Sequence, residues 1–453
     1  MCGIFGIRGT PSAARLTQLG LYSLQHRGQE SAGVAVLDAD GRGQIVRTMG
    51  TVNEAMGHEL EQLHGDLAIG HTRYSTAGSS TIENAQPIFV QSRGGHIALA
   101  HNGNLVNAVQ VREELEAGGS IFSTNADSEV IVHRLARSHA PTPAARMTEA
   151  LRGLEGAYSL VAAIGRTLIA ARDPRGWRPL VMGRLNGAVV FASETCALDI
   201  VGAVAEREVA PGEIVIVDDT GIQVIQALEA RPTRKCVFEY VYFARPDSRV
   251  FGGSVDRARR ALGRQLAKEH PAPSADLVFS VPDSSNSAAL GFAEVSGLPY
   301  ELALIRNHYI GRTFIQPTQA GRDAKVKVKY NPVREVIDGK RVVMVDDSIV
   351  RGTTTRGLVA MIRAAGAREV HLRVSSPPIT GPCYYGIDTP SRRELIAANM
   401  SCDEIAQTLG VDSLGYLSQE GMLGAVPDGP EGFCDACFSG HYPTPAPINL
   451  RQD

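Results

Sequence analysis

The apolar run Arg341-Val342-Val343-Met344-Val345 constrains this chain most. It ends in Asp346-Asp347-Ser348-Ile349-Val350-Arg351-Gly352-Thr353-Thr354, and a helical pattern follows. An uninterrupted apolar run suits a strand buried on both faces, and such strands belong to parallel sheets covered by helices. Helical spacing over Thr354–Ala365 and a strand pattern over Glu369–Val374 supply its neighbours. Ligands of open α/β sheets bind beyond the carboxyl ends of the strands. There the Ser, Thr and Gly residues lead into a helix N-terminus, which aims several N–H groups at an anion. Asp346 and Asp347 add two carboxylates, suited to ribose hydroxyls and to Mg²⁺, which takes oxygen ligands. An acidic pair at a strand end is often structurally idle, but the whole phrase reads as a phosphate-binding loop.

The same alternation begins earlier, with a helix over Asp256–His270, a strand over Asp276–Val281 and a helix over Ser287–Ser296. Upstream the rhythm differs. Ile4–Arg8, Ser31–Leu37, Gln44–Thr48, Leu67–His71 and Ile97–His101 read as short strands bounded by Gly, Ser or Asn. Further strands are expected at Ser159–Ile164, Val189–Ala192 and Ile214–Val217, with helical spacing at Leu16–Leu24 and Val130–Leu135. Strands with a few interposed helices point to an α+β sandwich. Patterning stops over Ala227–Lys235, a linker. The expected units are therefore residues 2–230, 236–400 and a C-terminal helical tail over 401–453, opened by the capping box Ser401-Cys402-Asp403-Glu404.

At 453 residues the chain exceeds one ordinary core, and 43% hydrophobic residues supply material for more. A net charge of −3 without a basic run argues against a nucleic-acid face. The alternating Lys325, Lys327 and Lys329 read as a solvated edge. No apolar stretch reaches the roughly 20 residues that span a bilayer. The start lacks a charged n-region and a long h-region, so a cytoplasmic location is expected. In a reducing compartment the seven cysteines argue for catalysis or metal binding over disulfides.

Cys2 directly follows Met1, and loss of Met1 would leave a thiol and a free α-amine on one residue. Such an amine, with a pKa near 8, can serve as base for its own nucleophile. A second-position Cys alone means little. It is joined, however, by Gly70-His71-Thr72-Arg73, whose arginine suits bidentate carboxylate binding, and by His101-Asn102-Gly103, whose amide and glycine N–H can pair as oxyanion donors. Asp127 lies at a helix start, where it reads either as an N-cap or as the counter-charge of a substrate ammonium.

Taken with His26-Arg27-Gly28 and Asn84-Ala85-Gln86-Pro87, these phrases resemble the N-terminal-nucleophile glutaminase domain of amidotransferases, an αββα sandwich. The resemblance implies Cys2 as nucleophile, Asn102 and Gly103 as oxyanion hole, and Arg73 and Asp127 as the grip on glutamine's carboxylate and ammonium. The Asp346–Thr354 loop in turn resembles the diphosphoribosyl-binding loop of type I phosphoribosyltransferases, an α/β fold. Phe238–Ser248, Val281-Pro282-Asp283-Ser284-Ser285 and Tyr309–Ile315 narrow the likeness to the glutamine amidophosphoribosyltransferases of purine synthesis. By that likeness Ser284 joins Asp346 and Asp347 around Mg²⁺, and Ser348, Ile349, Val350, Arg351, Gly352, Thr353 and Thr354 bind phosphoribosyl diphosphate. It also implies a homotetramer inhibited by purine nucleotides. A non-catalytic sensor of phosphoribosyl diphosphate is the rival reading, and the intact set around Cys2 speaks against it.

Four cysteines remain together. Cys434 and Cys437 are spaced as a metal half-site, while Cys236 and Cys383 sit where strand patterning gives way to turns. Four thiolates suit Zn²⁺ or a [4Fe–4S] cluster, and spacing does not choose between them. The resemblance decides for iron, because one branch of the family carries a [4Fe–4S] cluster in these four contexts. Residues 306–330, polar and rich in Arg and Lys, read as a lid.

Overall fold

The computed structural model describes residues 1–453 apart from 53–55, 75–77, 93–94, 309–327, 390, 428 and 448–453. Lys325 and Lys327, the phrase Tyr309–Ile315 and most of the expected lid lie outside the described residues.

The first half stacks two antiparallel sheets. One runs in the order Val204–Glu208, Val181–Leu185, Ala188–Ala192, Gly3–Arg8, Leu67–Arg73, Ser31–Leu37, Gly43–Met49. The other runs Gly221–Gln226, Glu213–Asp218, Thr167–Arg172, Gly156–Ile164, Gly95–Leu105, Ile88–Ser92. Between them lies an apolar layer that includes Ile4, Ile69, Ala98, Ala100, Val161, Phe191 and Val215, all fully buried. Successive side chains of a strand point to opposite faces, so each sheet also buries a second, outer set. Helices Ala13–Ser23 and Thr195–Val201 cover the first sheet with Ala13, Leu21, Ala197 and Leu198. Helices Ala108–Ala117, Glu129–Arg137 and Pro143–Leu151 cover the second with Val111, Val130, Ile131, Leu135 and Met147. The result is the expected αββα sandwich.

The second half carries a parallel sheet in the order Leu277–Ser280, Arg341–Asp346, Glu369–Val374, Ser413–Tyr416. The Arg341–Asp346 strand is paired on both edges and buried from Val342 onward. Helices Val255–Glu269 and Asn286–Ser296 pack on one face, with Leu262, Leu266, Ala289 and Phe292 in the core. Their approach is close, for a Cβ at position 263 would lie 1.8 Å from the Ala288 carbonyl oxygen. Helices Thr353–Ala364 and Cys402–Leu409 cover the other face through Leu358, Val359, Ile362, Ile405 and Leu409. The capping box at Ser401 and Glu404 forms as the sequence implies. The stretch expected as a helical tail is not only helical, since its Ser413–Tyr416 strand completes the parallel sheet.

Candidate active site

Gly3 pairs with Thr72 at the end of the central ladder of the first sheet, which sets Cys2 and Arg73 as the next positions on neighbouring strands. Cys2 is buried, and its thiol lies 3.6 Å from the Tyr74 carbonyl oxygen. Its backbone N–H donates to Asn102 Oδ1 at 3.1 Å, and its carbonyl accepts from Arg27 Nε at 2.9 Å. Asn102 arrives from the facing sheet, where it pairs with Ser159 and Gly103 with Tyr158. With its oxygen fixed on Cys2, Asn102 keeps a buried Nδ2 that has no partner among the described residues. A buried donor left unpaired calls for an acceptor. Gly103 takes φ +153°, and a Cβ there would sit 2.0 Å from the Ala157 carbonyl oxygen, so only glycine fits.

Arg73 is buried, with Nη1 on Glu30 Oε1 at 2.5 Å and on the Ser79 carbonyl oxygen at 3.0 Å. Asp127 does not cap the following helix, whose N-cap position belongs to Ser128. Instead Asp127 Oδ2 accepts from the Leu105 N–H at 2.8 Å and Oδ1 from Ser128 Oγ at 3.1 Å. That ties Asp127 to the end of the strand bearing Asn102 and Gly103. Met1 is itself buried, its sulfur against Arg178 and Arg27, and burial lowers its α-amine to about 5.

At the second site Asp346 and Asp347 stand where the Arg341–Asp346 strand ends. Ser284 Oγ donates to Asp347 Oδ2 at 2.5 Å and Ser348 Oγ to Asp347 Oδ1 at 2.7 Å. Ser285 Oγ reaches both carboxylates at 3.4 Å. Burial pushes both carboxyls above their ordinary range, and the neighbouring Asp347 charge raises Asp346 further. Oxygen donors under such strain fit a hard divalent cation, which would relieve it. Gly352, at φ +73°, turns the loop into helix Thr353–Ala364. Within the loop Ile349 packs into the core, the Val350 carbonyl accepts from the Ile396 N–H at 3.0 Å, and Arg351 pairs with Glu394 at 3.0 Å. Thr353 is half-buried and Thr354 exposed at the helix start.

Buried ions join the two halves. Arg27 bonds Glu239 at 2.8 and 3.0 Å and pairs with Glu194; all three side chains are fully buried. Burial opposes the charge on Glu194, yet His26 and Arg27 hold it well below the usual carboxylate range. Beyond this junction, buried Arg259 donates to the Tyr240 and Ala244 carbonyls at 2.8 Å each, with Asp347 as an attractive neighbour. Glu30, Glu194, Glu239, Ser285 and Arg259 went unassigned in the sequence reading. Glu30, Glu194, Glu239 and Ser285 act through partners 43 to 212 residues away along the chain, and the phrases His26-Arg27-Gly28 and Phe238–Ser248 were the signals that touched the junction.

Cys236 and Cys434 are register partners in a short parallel pair, Lys235–Cys236 beside Phe433–Cys434. Cys236 is thus buried in a strand, not at a turn as its neighbours implied. The Cys437 carbonyl accepts from the Thr380 and Gly381 N–H groups at 3.0 and 3.1 Å, which brings the Cys383 segment alongside. Burial and the other thiols push Cys434 and Cys437 well up. Among the described residues, no group of three or more His, Cys, Asp or Glu is arranged to hold a metal ion as it stands. Cys196 is buried and Cys402 exposed, outside this group.

Residues 71–199 match the family model of the glutamine amidotransferase domain. The chain is 52% identical to amidophosphoribosyltransferase 2, chloroplastic, of Arabidopsis thaliana, across 98% of this chain and 79% of that one. A solved glutamine phosphoribosylpyrophosphate amidotransferase from B. subtilis, complexed with ADP and GMP, superposes with a TM-score of 0.92 at 48% identity, across 100% of this chain and 98% of that one. A second structure, described as the allosteric regulatory enzyme of purine biosynthesis, gives 0.93 at 49% identity, across 99% and 97%. Full-length likeness at this level, on a fold with a Cys2–Asn102 contact in one half and an Asp346–Asp347 pair in the other, shows that the chain belongs to the amidophosphoribosyltransferases, the glutamine-dependent enzymes of the first step of purine biosynthesis.

Proposed function

We propose that the two halves divide the reaction as follows, taking residues 2–230 as the glutaminase unit, 236–400 as the phosphoribosyl unit and 401–453 as a tail. Loss of Met1 frees the Cys2 α-amine, which takes the thiol proton as the sulfur attacks the glutamine side-chain amide. Asn102 Nδ2 and the Gly103 N–H receive the oxyanion, Arg73 the substrate carboxylate and Asp127 its ammonium. Ammonia leaves with a proton returned by the α-amine, and water cleaves the thioester to glutamate. In the second half ammonia attacks C1 of phosphoribosyl diphosphate, and pyrophosphate departs to leave 5-phosphoribosylamine. The Asp346–Thr354 loop cradles the phosphates. Ser284, Asp346 and Asp347 would hold Mg²⁺, which supplies charge neutralisation of the diphosphate.

One observation carries this reading: the Cys2 N–H on Asn102 Oδ1 at 3.1 Å holds Asn102 against the nucleophilic residue and leaves its Nδ2 a spare buried donor among the described residues. The test is glutamate release with and without phosphoribosyl diphosphate. Low release that rises when the second substrate is added supports coupled sites. Full release in its absence contradicts them.

The finer family branch rests on Cys236, Cys383, Cys434 and Cys437, whose soft sulfur donors suit a [4Fe–4S] cluster and of which Cys236 and Cys434 are register partners. In that group they would tie the linker, the phosphoribosyl unit and the tail together. Anaerobically purified protein is expected to be brown, with about four irons per chain. One zinc and no iron would refute the cluster and leave the enzyme standing. ADP and GMP in the B. subtilis relative support purine nucleotides as feedback inhibitors here, and the family likeness alone suggests a homotetramer. Free cysteines, and the lack among the described residues of a helix long and apolar enough to cross a membrane, support a cytoplasmic setting.

A further inference from the structure

His101 stands one residue before Asn102, and the chemistry above gives it no task. Its ring is buried between two oxygens. Nε2 lies 3.2 Å from the Ala157 carbonyl oxygen, an atom that only accepts. Nδ1 lies 2.7 Å from Ser128 Oγ. The direction of that second bond follows from counting protons. Gln86 Oε1 accepts from the His101 backbone N–H at 2.8 Å, which fixes the Gln86 amide and makes its Nε2 a donor to Ser128 Oγ at 3.1 Å. Ser128 has a single proton, and Asp127 Oδ1, 3.1 Å away, is an acceptor that needs it. Ser128 Oγ is then an acceptor toward both Gln86 and His101. A neutral imidazole can serve either the Ala157 oxygen or Ser128 Oγ, but not both. Giving the Ser128 proton to His101 instead would set the serine and Asp127 oxygens against each other in a buried site, at the cost of an unmade bond.

We infer that His101 carries a proton on both ring nitrogens and acts as a positioning residue, an imidazolium that ties the strand bearing Asn102 and Gly103 to Asp127 through Ser128. The inference rests on the reading of Asp127 as the ammonium's counter-charge. Charge complementarity supports it, since Nδ1 lies 3.8 Å from Asp127 Oδ2. The second buried histidine behaves in the opposite way. Burial lowers His71 to about 3, so it is neutral and spends its one N–H on the His101 carbonyl at 3.0 Å. His101 is therefore held at its N–H, its carbonyl and both ring nitrogens. Its Nε2 also lies 2.9 Å from where a Cβ would stand on Gly103, so the ring underlies the oxyanion glycine. Fixing the ring fixes Gly103 and Asp127 together, which sets the glutamine amide and ammonium pockets at one spacing.

The test uses the sedimented enzyme with ¹⁵N-labelled histidine and magic-angle-spinning NMR, the His101 signals being identified by their loss in His101→Gln. Two protonated ring nitrogens at neutral pH are expected, and a neutral tautomer overturns the inference. The proton count is read on the parent enzyme, so it stands even where Ser128→Ala fails to fold, provided His101→Gln retains ammonia-dependent turnover. Ser128→Ala should remove the imidazolium signature and raise the glutamine KM about tenfold, the scale of one lost charge-assisted bond. Ammonia-dependent turnover serves as the folding control. An unchanged KM in Ser128→Ala beside a raised one in Asp127→Asn overturns the positioning role. If Asp127→Asn leaves KM unchanged, the ammonium reading falls instead, and the spectrum alone decides the proton count.

Discussion

At Gly103 the backbone lies in a region that favours glycine, with the Ala157 carbonyl 2.0 Å from any added Cβ. Gly103→Ala must shift the strand that presents Asn102. Loss of one oxyanion donor costs about a hundred- to a thousandfold in turnover, so glutaminase activity should fall by that order while ammonia-dependent synthesis persists. Comparison of the two rates checks it, and an equal fall in both would point to misfolding. Asp173 gives a pH prediction. It is fully buried beneath the Tyr158, Arg175 and Trp177 N–H groups, and burial raises it to about 6 from an ordinary 3.8. The folded state thus holds the proton more tightly than the unfolded chain. Below about pH 4 the group costs nothing; as pH rises toward 6 and beyond, stability falls by up to about 3 kcal/mol. Unfolding midpoints of Asp173→Asn should gain on the parent from pH 4 to 7, and a constant difference would contradict the burial argument. Single positions were legible where local chemistry marks them: Cys2 behind Met1, Arg73 at a strand end, Asn102 beside a glycine. Glu30 was not, because its side chain is marked by a bond to Arg73 on the neighbouring strand, 43 residues away.

Elements were read best where one face is dry. Ser31–Leu37 and Glu369–Val374 fall at their expected bounds, since every residue but one is buried. Gly221–Gln226 was missed because it is a sheet edge, mostly exposed and with polar residues between its β-branched ones. Helix Ala108–Ala117 was missed for a related reason. Only Val111 and Leu115 are buried, leaving a narrow apolar stripe. The loop after Arg341–Asp346 was the clearest element. Asp347→Asn removes one of two crowded carboxylates, and Asp346 should ionise more readily once its neighbour's charge is gone. Phosphoribosyl transfer should fall at least about a hundredfold from either nitrogen source, because the site loses an oxygen anion aimed at the diphosphate's cation. Thermal stability of the unliganded protein should hold or rise. Near-normal ammonia-dependent turnover would contradict the role given to this pair.

Across the whole molecule, the change from antiparallel sandwich to parallel sheet was visible as a change of rhythm near residue 230. How the halves meet was not, because the junction is made by Arg27, Glu194 and Glu239, which lie 167 and 212 residues apart from Arg27 in sequence. Replacing one member of such a buried set leaves the others unpaired at high cost, which makes the junction a stiff coupling and a poor place for a neutral test. The direct test uses the ends of the reaction instead. Pyrophosphate release by Cys2→Ala protein is measured with glutamine and, separately, with ammonium as nitrogen source. Separate sites for freeing ammonia and for using it predict no release with glutamine and nearly parental release with ammonium. Equal loss with both sources, in protein that remains folded, would contradict the division of the chain into two cooperating active sites.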